Sequence, residues 1–121
     1  MTKSGAIKEF MSSFGVPAFP VGSVPDEKDL TYPYIVYENS VGNALDAPVY
    51  IAARYWGYTS SEKSVNDKVE EIAKAIGRGG RLLLYDGGAV WIKRGRPWSV
   101  PLTDENPAIK GRQLNLTLEF V

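Results

Sequence analysis

The sequence predicts one α+β domain: a mixed, mainly antiparallel sheet of about five strands, with two helices packed on one face. Two stretches carry apolar residues at helical spacing, and five shorter stretches have the composition or alternation of strands, in the order αββαβββ. Strands that follow one another without an intervening helix favour antiparallel pairing. The chain has 121 residues and is 44% hydrophobic, which is enough to bury a core. We therefore expect residues 1–121 to fold as a single domain.

The first helix is predicted over residues 4–14. Four apolar residues recur at i, i+3, i+4 and i+7 and so line one side of a helix. They are Ile7, Phe10, Met11 and Phe14. Ser4 is the expected N-cap, and Gly15 followed by Pro17 is expected to end the helix.

Two strands are predicted in the first half of the chain. Residues 16–31 contain Pro17, Pro20 and Pro25 and are predicted to form an extended arm, with at most a short extended piece, because proline cannot occupy a central strand. Aromatic and β-branched residues then predict a strand over 32–38. After a loop at 39–48, a second strand is predicted over 49–59. Its alternate residues are apolar on both sides, which predicts that both of its faces are covered.

The second helix is predicted over residues 60–77. Thr59 and Glu62 have the spacing of a capping box, in which each side chain satisfies a backbone N–H at the start of the helix. Gly77 is expected to end the helix. One side of the helix is apolar and comprises Val65, Val69, Ile72, Ala73 and Ile76.

The last part of the chain predicts a hairpin, a second arm and a final strand. Residues 81–85 and 89–94 flank an Asp-Gly pair that is typical of tight hairpin turns. Residues 95–110 contain three prolines and are predicted to form a second extended arm without regular structure. The final strand alternates polar residues with Leu114, Leu116, Leu118 and Phe120, which predicts one apolar face.

The composition removes much of the usual chemistry of enzymes. There is no cysteine and no histidine, which excludes disulfides, thiolate and imidazole metal sites, and nucleophile–histidine pairs. The glycine-rich stretch 77–80 follows a helix and precedes a strand, which is the reverse of the order in a phosphate-binding loop. Acidic pairs such as Asp104 and Glu105 have no partner at a catalytic or metal-binding spacing. We therefore predict no enzyme, no catalytic residue, no cofactor and no metal. A small hydrolase that uses carboxylates and tyrosines stays as an alternative.

The charge is uneven along the chain. Residues 1–77 carry 7 basic and 10 acidic side chains, whereas residues 78–112 carry 7 basic and 3 acidic ones. Such segregation favours head-to-tail contact between copies or a nearby polyanion. Ordinary local variation in charge is the alternative. No apolar run approaches the ~20 residues that span a bilayer, and the N-terminus has no signal-peptide pattern. We expect a cytoplasmic product with no membrane partner.

The sequence also predicts where the molecule meets its partners. Aromatic residues crowd the strands at 32–38 and 49–59, and two helices cannot cover both faces of a sheet, so some rings are expected at the surface. Basic residues flank the second arm and are expected to pair with acidic residues of a neighbour, a solvated rim being the alternative. The predicted interface residues are Arg54, Trp56, Lys93, Arg94, Arg96, Trp98, Asp104, Glu105, Lys110 and Arg112.

Four segments of the sequence carry a resemblance to a known protein family. They are Pro-Tyr-Ile-Val-Tyr at 33–37, Ala-Ala-Arg-Tyr-Trp-Gly-Tyr-Thr-Ser at 52–60, Gly-Gly-x-Val-Trp-Ile at 87–92 and Ile-Lys-Gly-Arg at 109–112. The second segment leads directly into an amphipathic helix, and the fourth leads into the final strand. Together they resemble the tail-terminator and neck proteins (head–tail joining, minor capsid) of long-tailed bacteriophages. The resemblance covers residues 4–121 and rests on element order and residue classes.

The resemblance implies a structural virion protein, made in the host cytoplasm, with a sheet flanked by helices. Members of this family form a ring, expected to be a hexamer, at the head-proximal end of the tail and join the tail to the neck. The implied partners are copies of the chain, the tail tube protein and the neck or connector proteins, with non-specific DNA contact in the ring lumen. A head-completion or minor capsid connector protein is an alternative. An alternative of another class is a nucleic-acid-binding module that uses the basic segment 78–112.

Overall fold

A six-stranded sheet with two α-helices organises the protein in the computed structural model, which describes residues 1–40 and 48–121. The elements are α1 (Lys3–Met11), β1 (Ala18–Pro20), β2 (Tyr34–Tyr37), β3 (Val49–Tyr58), α2 (Lys63–Ile76), β4 (Arg81–Tyr85), β5 (Gly88–Leu102) and β6 (Ile109–Phe120). The strand order in the sheet is β1-β2-β3-β6-β5-β4, and only β1 with β2 is a parallel pair. The predicted α+β class and the mainly antiparallel sheet are confirmed. The predicted loop at 39–48 falls mostly on residues 41–47, which lie outside the described residues.

The last strand is the centre of the sheet. Its twelve residues pair antiparallel with β3 on one side and with β5 on the other. Leu114, Leu116, Leu118 and Phe120 are all buried, whereas the residues between them are only partly covered. The predicted alternation is therefore confirmed, and it defines a core face of the sheet.

Both helices pack on this core face, as predicted. α1 contacts β1 and β4, and α2 contacts β3, β5 and β6. The apolar stripes of the two helices, from Ile7 to Phe14 and from Val65 to Ile76, are buried against the sheet in one hydrophobic cluster. Burial of apolar area at ~25 cal/mol per Å² drives this packing.

The helix ends differ from the sequence prediction at their N-termini. The Thr2 hydroxyl, and not Ser4, caps α1 by accepting a hydrogen bond from the Gly5 N–H at 3.0 Å. α2 begins at Lys63 without the predicted capping box, because the Thr59 hydroxyl bonds the backbone of Ser61 instead. Serine and threonine can satisfy nearby backbone groups in a local turn as well as in a helix cap. The predicted end of α2 at Gly77 is confirmed by its left-handed φ of 78°.

The second arm predicted at 95–110 is wrong for residues 95–102. β5 continues through Pro97 and Pro101 to Leu102, with a register irregularity between Arg94 and Ser99. β4 pairs with β5 only as far as Ile92, so the rest of β5 is an edge strand bonded to β6 alone. Proline is tolerated at an edge because its missing N–H would have pointed to solvent.

The first predicted arm, residues 16–31, contains two short elements. β1 pairs with β2 at the sheet edge, and residues Glu27–Asp29 form a 3₁₀ turn. The sixth strand of the sheet is β1, which explains the difference from the expected five. The hairpin formed by β4 and β5 is confirmed, and only Gly87 takes the positive φ, at 94°.

Candidate assembly surface

One face of the sheet is not covered by either helix, and we call it the open face. Residues of β3 alternate between the two faces, with Ile51, Ala53 and Tyr55 buried on the core face. On the open face, Tyr50 is 77% exposed and Tyr58 is 61% exposed. The prediction that β3 is covered on both faces is therefore wrong. The prediction that some aromatic rings reach the surface is confirmed.

An apolar patch lies at the β4 end of the open face, and we call it the β4 patch. It consists of Leu82, Leu84 and Trp91, which occupy neighbouring positions on β4 and β5. All three are exposed, and Leu84 is 74% exposed. Trp91 is held in place by a hydrogen bond of 2.8 Å from its indole N–H to the Gly79 carbonyl. Clustered exposed leucines and tryptophan are typical of protein–protein contact surfaces.

A polar groove of about 660 Å³ crosses the middle of the open face. Three arginines, Arg54, Arg94 and Arg96, contribute to its lining, and we call it the arginine groove. None of the three forms a salt bridge with a residue in the described parts of the chain. The one carboxylate in the lining, that of Glu38, accepts a hydrogen bond from the Ala52 N–H at 2.5 Å. The lining thus carries three positive charges and one negative charge.

A second concavity, of about 560 Å³, lies beside the β2 end of the open face, and we call it the aromatic–acidic pocket. Four aromatic side chains and two carboxylates contribute to its lining. They are Tyr32, Tyr34, Trp56, Tyr58, Glu27 and Asp104. No lysine or arginine is among its described lining residues. The pocket is therefore the acidic counterpart of the arginine groove on the same side of the sheet.

The structure divides the predicted interface residues between different places. Arg54, Arg94 and Arg96 line the arginine groove, and Trp56 and Asp104 line the aromatic–acidic pocket. Glu105 is exposed in the loop after β5. These six residues come from both of the segments that the sequence singled out, the aromatic strand β3 and the region of the second arm.

The other predicted residues make contacts within the chain. The Lys93 ammonium pairs with Glu119 at 3.2 Å and lies 4.2 Å from the centre of the Trp91 ring. Arg112 projects to the core side, where its Nε donates to the Asn66 side chain of α2 at 3.3 Å. Lys110 donates to the Pro107 carbonyl at 2.9 Å, and Trp98 is half-buried against the core. The basic residues around the second arm therefore do not form one cluster.

Sequence reasoning did not single out several residues of this surface. Leu82 and Leu84 lie in the run Leu82-Leu83-Leu84, where the sequence gives no alternation to separate an exposed from a buried face. Glu27 lies about eighty residues from Asp104 in sequence, and only the fold places both at one pocket. The crowding of tyrosines in two strands was the one signal that pointed to the pocket.

The described residues contain no group of three or more acidic side chains arranged to hold a metal ion. Within the same residues, no helix is long and apolar enough to cross a membrane.

Burial raises the pKa values of the Tyr37 and Tyr55 hydroxyls. Their hydroxyls therefore stay protonated at neutral pH.

Comparison with known proteins gives a fold and no function. No family model matches the chain, and no curated protein matches it. A solved structure shares the fold with a TM-score of 0.65, over 97% of this chain and 92% of the other, at 13% sequence identity. The name of that protein describes no function, so the likeness concerns the fold alone.

Proposed function

We propose that this chain is a structural virion protein of a phage or prophage, a tail terminator that assembles as a ring at the head-proximal end of the tail and joins it to the neck. The proposal has two supports. One is the resemblance of four segments to tail-terminator and neck proteins. The other is a surface suited to assembly.

The observation that carries the proposal is the open face. A sheet covered by helices on one side only leaves aromatic and leucine side chains in water, at Tyr50, Tyr58, Leu82, Leu84 and Trp91. Binding of a partner that removes such exposed apolar area from water is favourable. Charge of both signs flanks it, in the arginine groove and in the aromatic–acidic pocket. Complementary charges of this kind set the orientation in which copies or partners meet.

Binding to tail tubes tests the proposal. Purified chain is added to tail tubes assembled from the tail tube protein that is encoded next to it in the genome. The mixture is imaged by electron microscopy. We expect extra density at one end of each tube and a ring of constant size. Tubes that stay bare at both ends, with the chain soluble and folded, would contradict the tail-terminator role. Binding to empty heads and not to tubes would favour the alternative of a head-completion or minor capsid connector protein.

The arginine groove favours a second candidate function, binding of nucleic acid. Three arginines without described acidic partners, next to the exposed ring of Tyr50, could contact phosphates and a base together. Such binding weakens steeply as salt rises, because phosphate contacts release counterions. A mobility-shift titration with single- and double-stranded DNA at low salt measures it. Tight binding that is lost in Arg54→Gln and kept in Arg78→Gln would support this function, and DNA contact in a ring lumen would be weak and non-specific.

A further inference from the structure

The aromatic–acidic pocket has the construction of a site for a cation. The Tyr32 ring contacts two of the other rings, with centroids 5.2 Å from Tyr34 and 5.8 Å from Tyr58 at tilts of 52° and 54°. Trp56 lies against Gly111 of β6, where the space of a side chain would be. Aromatic faces attract ammonium and guanidinium groups through the negative charge of their π systems. The four rings therefore offer several such faces within one concavity.

Two carboxylates, those of Glu27 and Asp104, line the same concavity as these rings. The pKa of the Tyr34 hydroxyl is raised by burial first, then by Tyr32, and then by the negative charges of Asp104 and Glu27. The two carboxylates are thus close enough to act electrostatically on the interior of the pocket. Neither forms a salt bridge with a described residue. A cation that entered the pocket would meet π faces and two unpaired negative charges together.

We propose that this pocket binds an arginine side chain from a second copy of the chain, supplied by the segment that carries Arg94 and Arg96. The proposal rests on the ring-forming part of the function proposed above. It names the two surfaces that meet when one copy contacts the next.

The supplying segment is suited to this role. Arg94 and Arg96 are exposed and have no acidic partner among the described residues. The backbone between them lies against β6, since a side chain at Gly95 would meet the Asn115 backbone at 2.9 Å. The Asn115 amide also donates to the Pro97 carbonyl at 2.9 Å. A segment that is fixed before binding loses little entropy when it docks.

Charge complementarity selects a second copy as the occupant. Among the described residues, the exposed arginines and the pocket carboxylates are two sets of opposite sign that form no salt bridge within the chain, and the net charge of the chain is zero. A contact between copies would pair both sets, whereas an unrelated cationic partner would leave the arginines unpaired. Arginine also suits the pocket because its planar group can stack on a ring and bond a carboxylate at once.

The first test removes the pocket charges without changing the shape of the pocket. Self-association is measured by sedimentation velocity over a range of protein concentrations. The pair Asp104→Asn with Glu27→Gln should weaken association by about tenfold or more. Asparagine keeps the oxygen that accepts the Asn106 N–H at 2.9 Å, so the loop should hold. The matched control, Asp26→Asn with Asp29→Asn, removes the same charge from exposed positions beside Glu27 that do not line the pocket, and it should change association less than about twofold.

The second test exchanges the charges. Arg94→Glu with Arg96→Glu should abolish association, and so should Asp104→Lys with Glu27→Lys in a separate protein. Each double variant should stay folded by circular dichroism, because the wild-type side chains are at the surface. A mixture of the two double variants should associate again, because the wild-type arginines of one variant meet the wild-type carboxylates of the other, and the introduced glutamates meet the introduced lysines. Arg78→Glu, in the turn before β4, serves as a control and should leave association unchanged.

Three results would overturn the proposal: association of the pocket variant as strong as wild type, no recovery in the mixture, or a wild-type chain that stays monomeric at every concentration. The tail-tube assay tests the proposed tail-terminator role independently of the contact between copies. A chain that associates through the pocket but never caps a tube would contradict the tail-terminator role and leave the contact standing. If the variant with Asp104→Asn and Glu27→Gln caps tubes as well as wild type and in rings as stable, the proposed contact would be wrong and the tail-terminator role would stand.

Discussion

Trp56 lies on the open face, and its ring occupies space that is free because the residue opposite it in β6 is a glycine. Gly111 is its direct partner in β6, and a Cβ built at Gly111 would lie 2.6 Å from the Trp56 ring. Glycine weakens a strand on its own, because it has no side chain to pack. Here an aromatic ring from the next strand takes the place of the missing side chain. The pair fixes one wall of the aromatic–acidic pocket.

Gly111→Ala should lower the free energy of unfolding by about 1–3 kcal/mol, because the new methyl group displaces a half-buried ring. Equilibrium urea unfolding measures this change. Gly79→Ala is the control, since a Cβ there meets no atom within 4 Å and its φ is not left-handed. Its effect should stay within about 0.5 kcal/mol. Equal effects in the two variants would mean that the ring moves aside at no cost.

Two leucines on neighbouring parts of the sheet should differ widely in their contribution to stability. Leu118, near the C-terminal end of β6, is 0% exposed, whereas Leu84 on β4 is largely in water. Leu118→Ala should cost about 2–5 kcal/mol, because it leaves a cavity in the core. Leu84→Ala should cost less than about 0.5 kcal/mol. Chemical denaturation of both variants compares them, and a large loss in Leu84→Ala would mean that the monomer itself buries the β4 patch.

At the scale of elements, the start of α1 depends on one hydroxyl. Thr2→Ala should lower stability by about 1 kcal/mol, since the Gly5 N–H then loses its acceptor. Ser4, which the sequence favoured as the cap, lies inside the helix. Ser4→Ala should therefore leave stability unchanged or raise it slightly, because alanine has the higher helix propensity. Thermal unfolding of the two variants distinguishes the positions, and the reverse order would move the cap to Ser4.

The elements that the sequence predicted well are those in which one physical effect dominates. The alternation from Leu114 to Phe120 and the stripe from Val65 to Ile76 both report burial on one side, and both elements formed as predicted. β5 was missed beyond Arg94, because proline is a local signal and cannot report that β4 ends early and leaves an edge. Hydroxyl caps were misplaced for a similar reason, since Thr2, Ser4 and Thr59 all have the chemistry and only the backbone selects among them.

The candidate site was predicted less completely than the fold. Arg54 and Trp56 were expected at a surface from the crowding of aromatic residues on β3, and both line concavities of the open face. Arg112 was expected beside Lys93, yet the strand positions send them to opposite faces of the sheet. Glu27 was not expected at all, because its place beside Asp104 depends on the path of residues 21–33 between β1 and β2. Long-range juxtaposition of this kind has no local sequence signal.

At the scale of the whole molecule, two kinds of exposed surface compete to direct assembly. The β4 patch is apolar, whereas the arginine groove and the aromatic–acidic pocket are charged. Salt distinguishes the two kinds of surface. It screens charged contacts, with a Debye length of about 10 Å at 0.1 M, whereas a sulfate salt strengthens apolar contacts. The β4 patch and the aromatic–acidic pocket lie toward opposite ends of the strand order, at β4 and β2, so one small contact cannot cover both.

We expect self-association to weaken by about tenfold when sodium chloride rises from about 50 mM to about 500 mM, because the contact between copies pairs opposite charges. Sedimentation velocity at several salt concentrations measures the change. The variant with Asp104→Asn and Glu27→Gln should show a flatter dependence, since two of the screened charges are gone. Leu84→Ser should leave the salt dependence as it is, because it changes only the β4 patch. If association instead grew with salt and was lost in Leu84→Ser, the β4 patch would be the contact between copies, and the charged surfaces would be free for other partners.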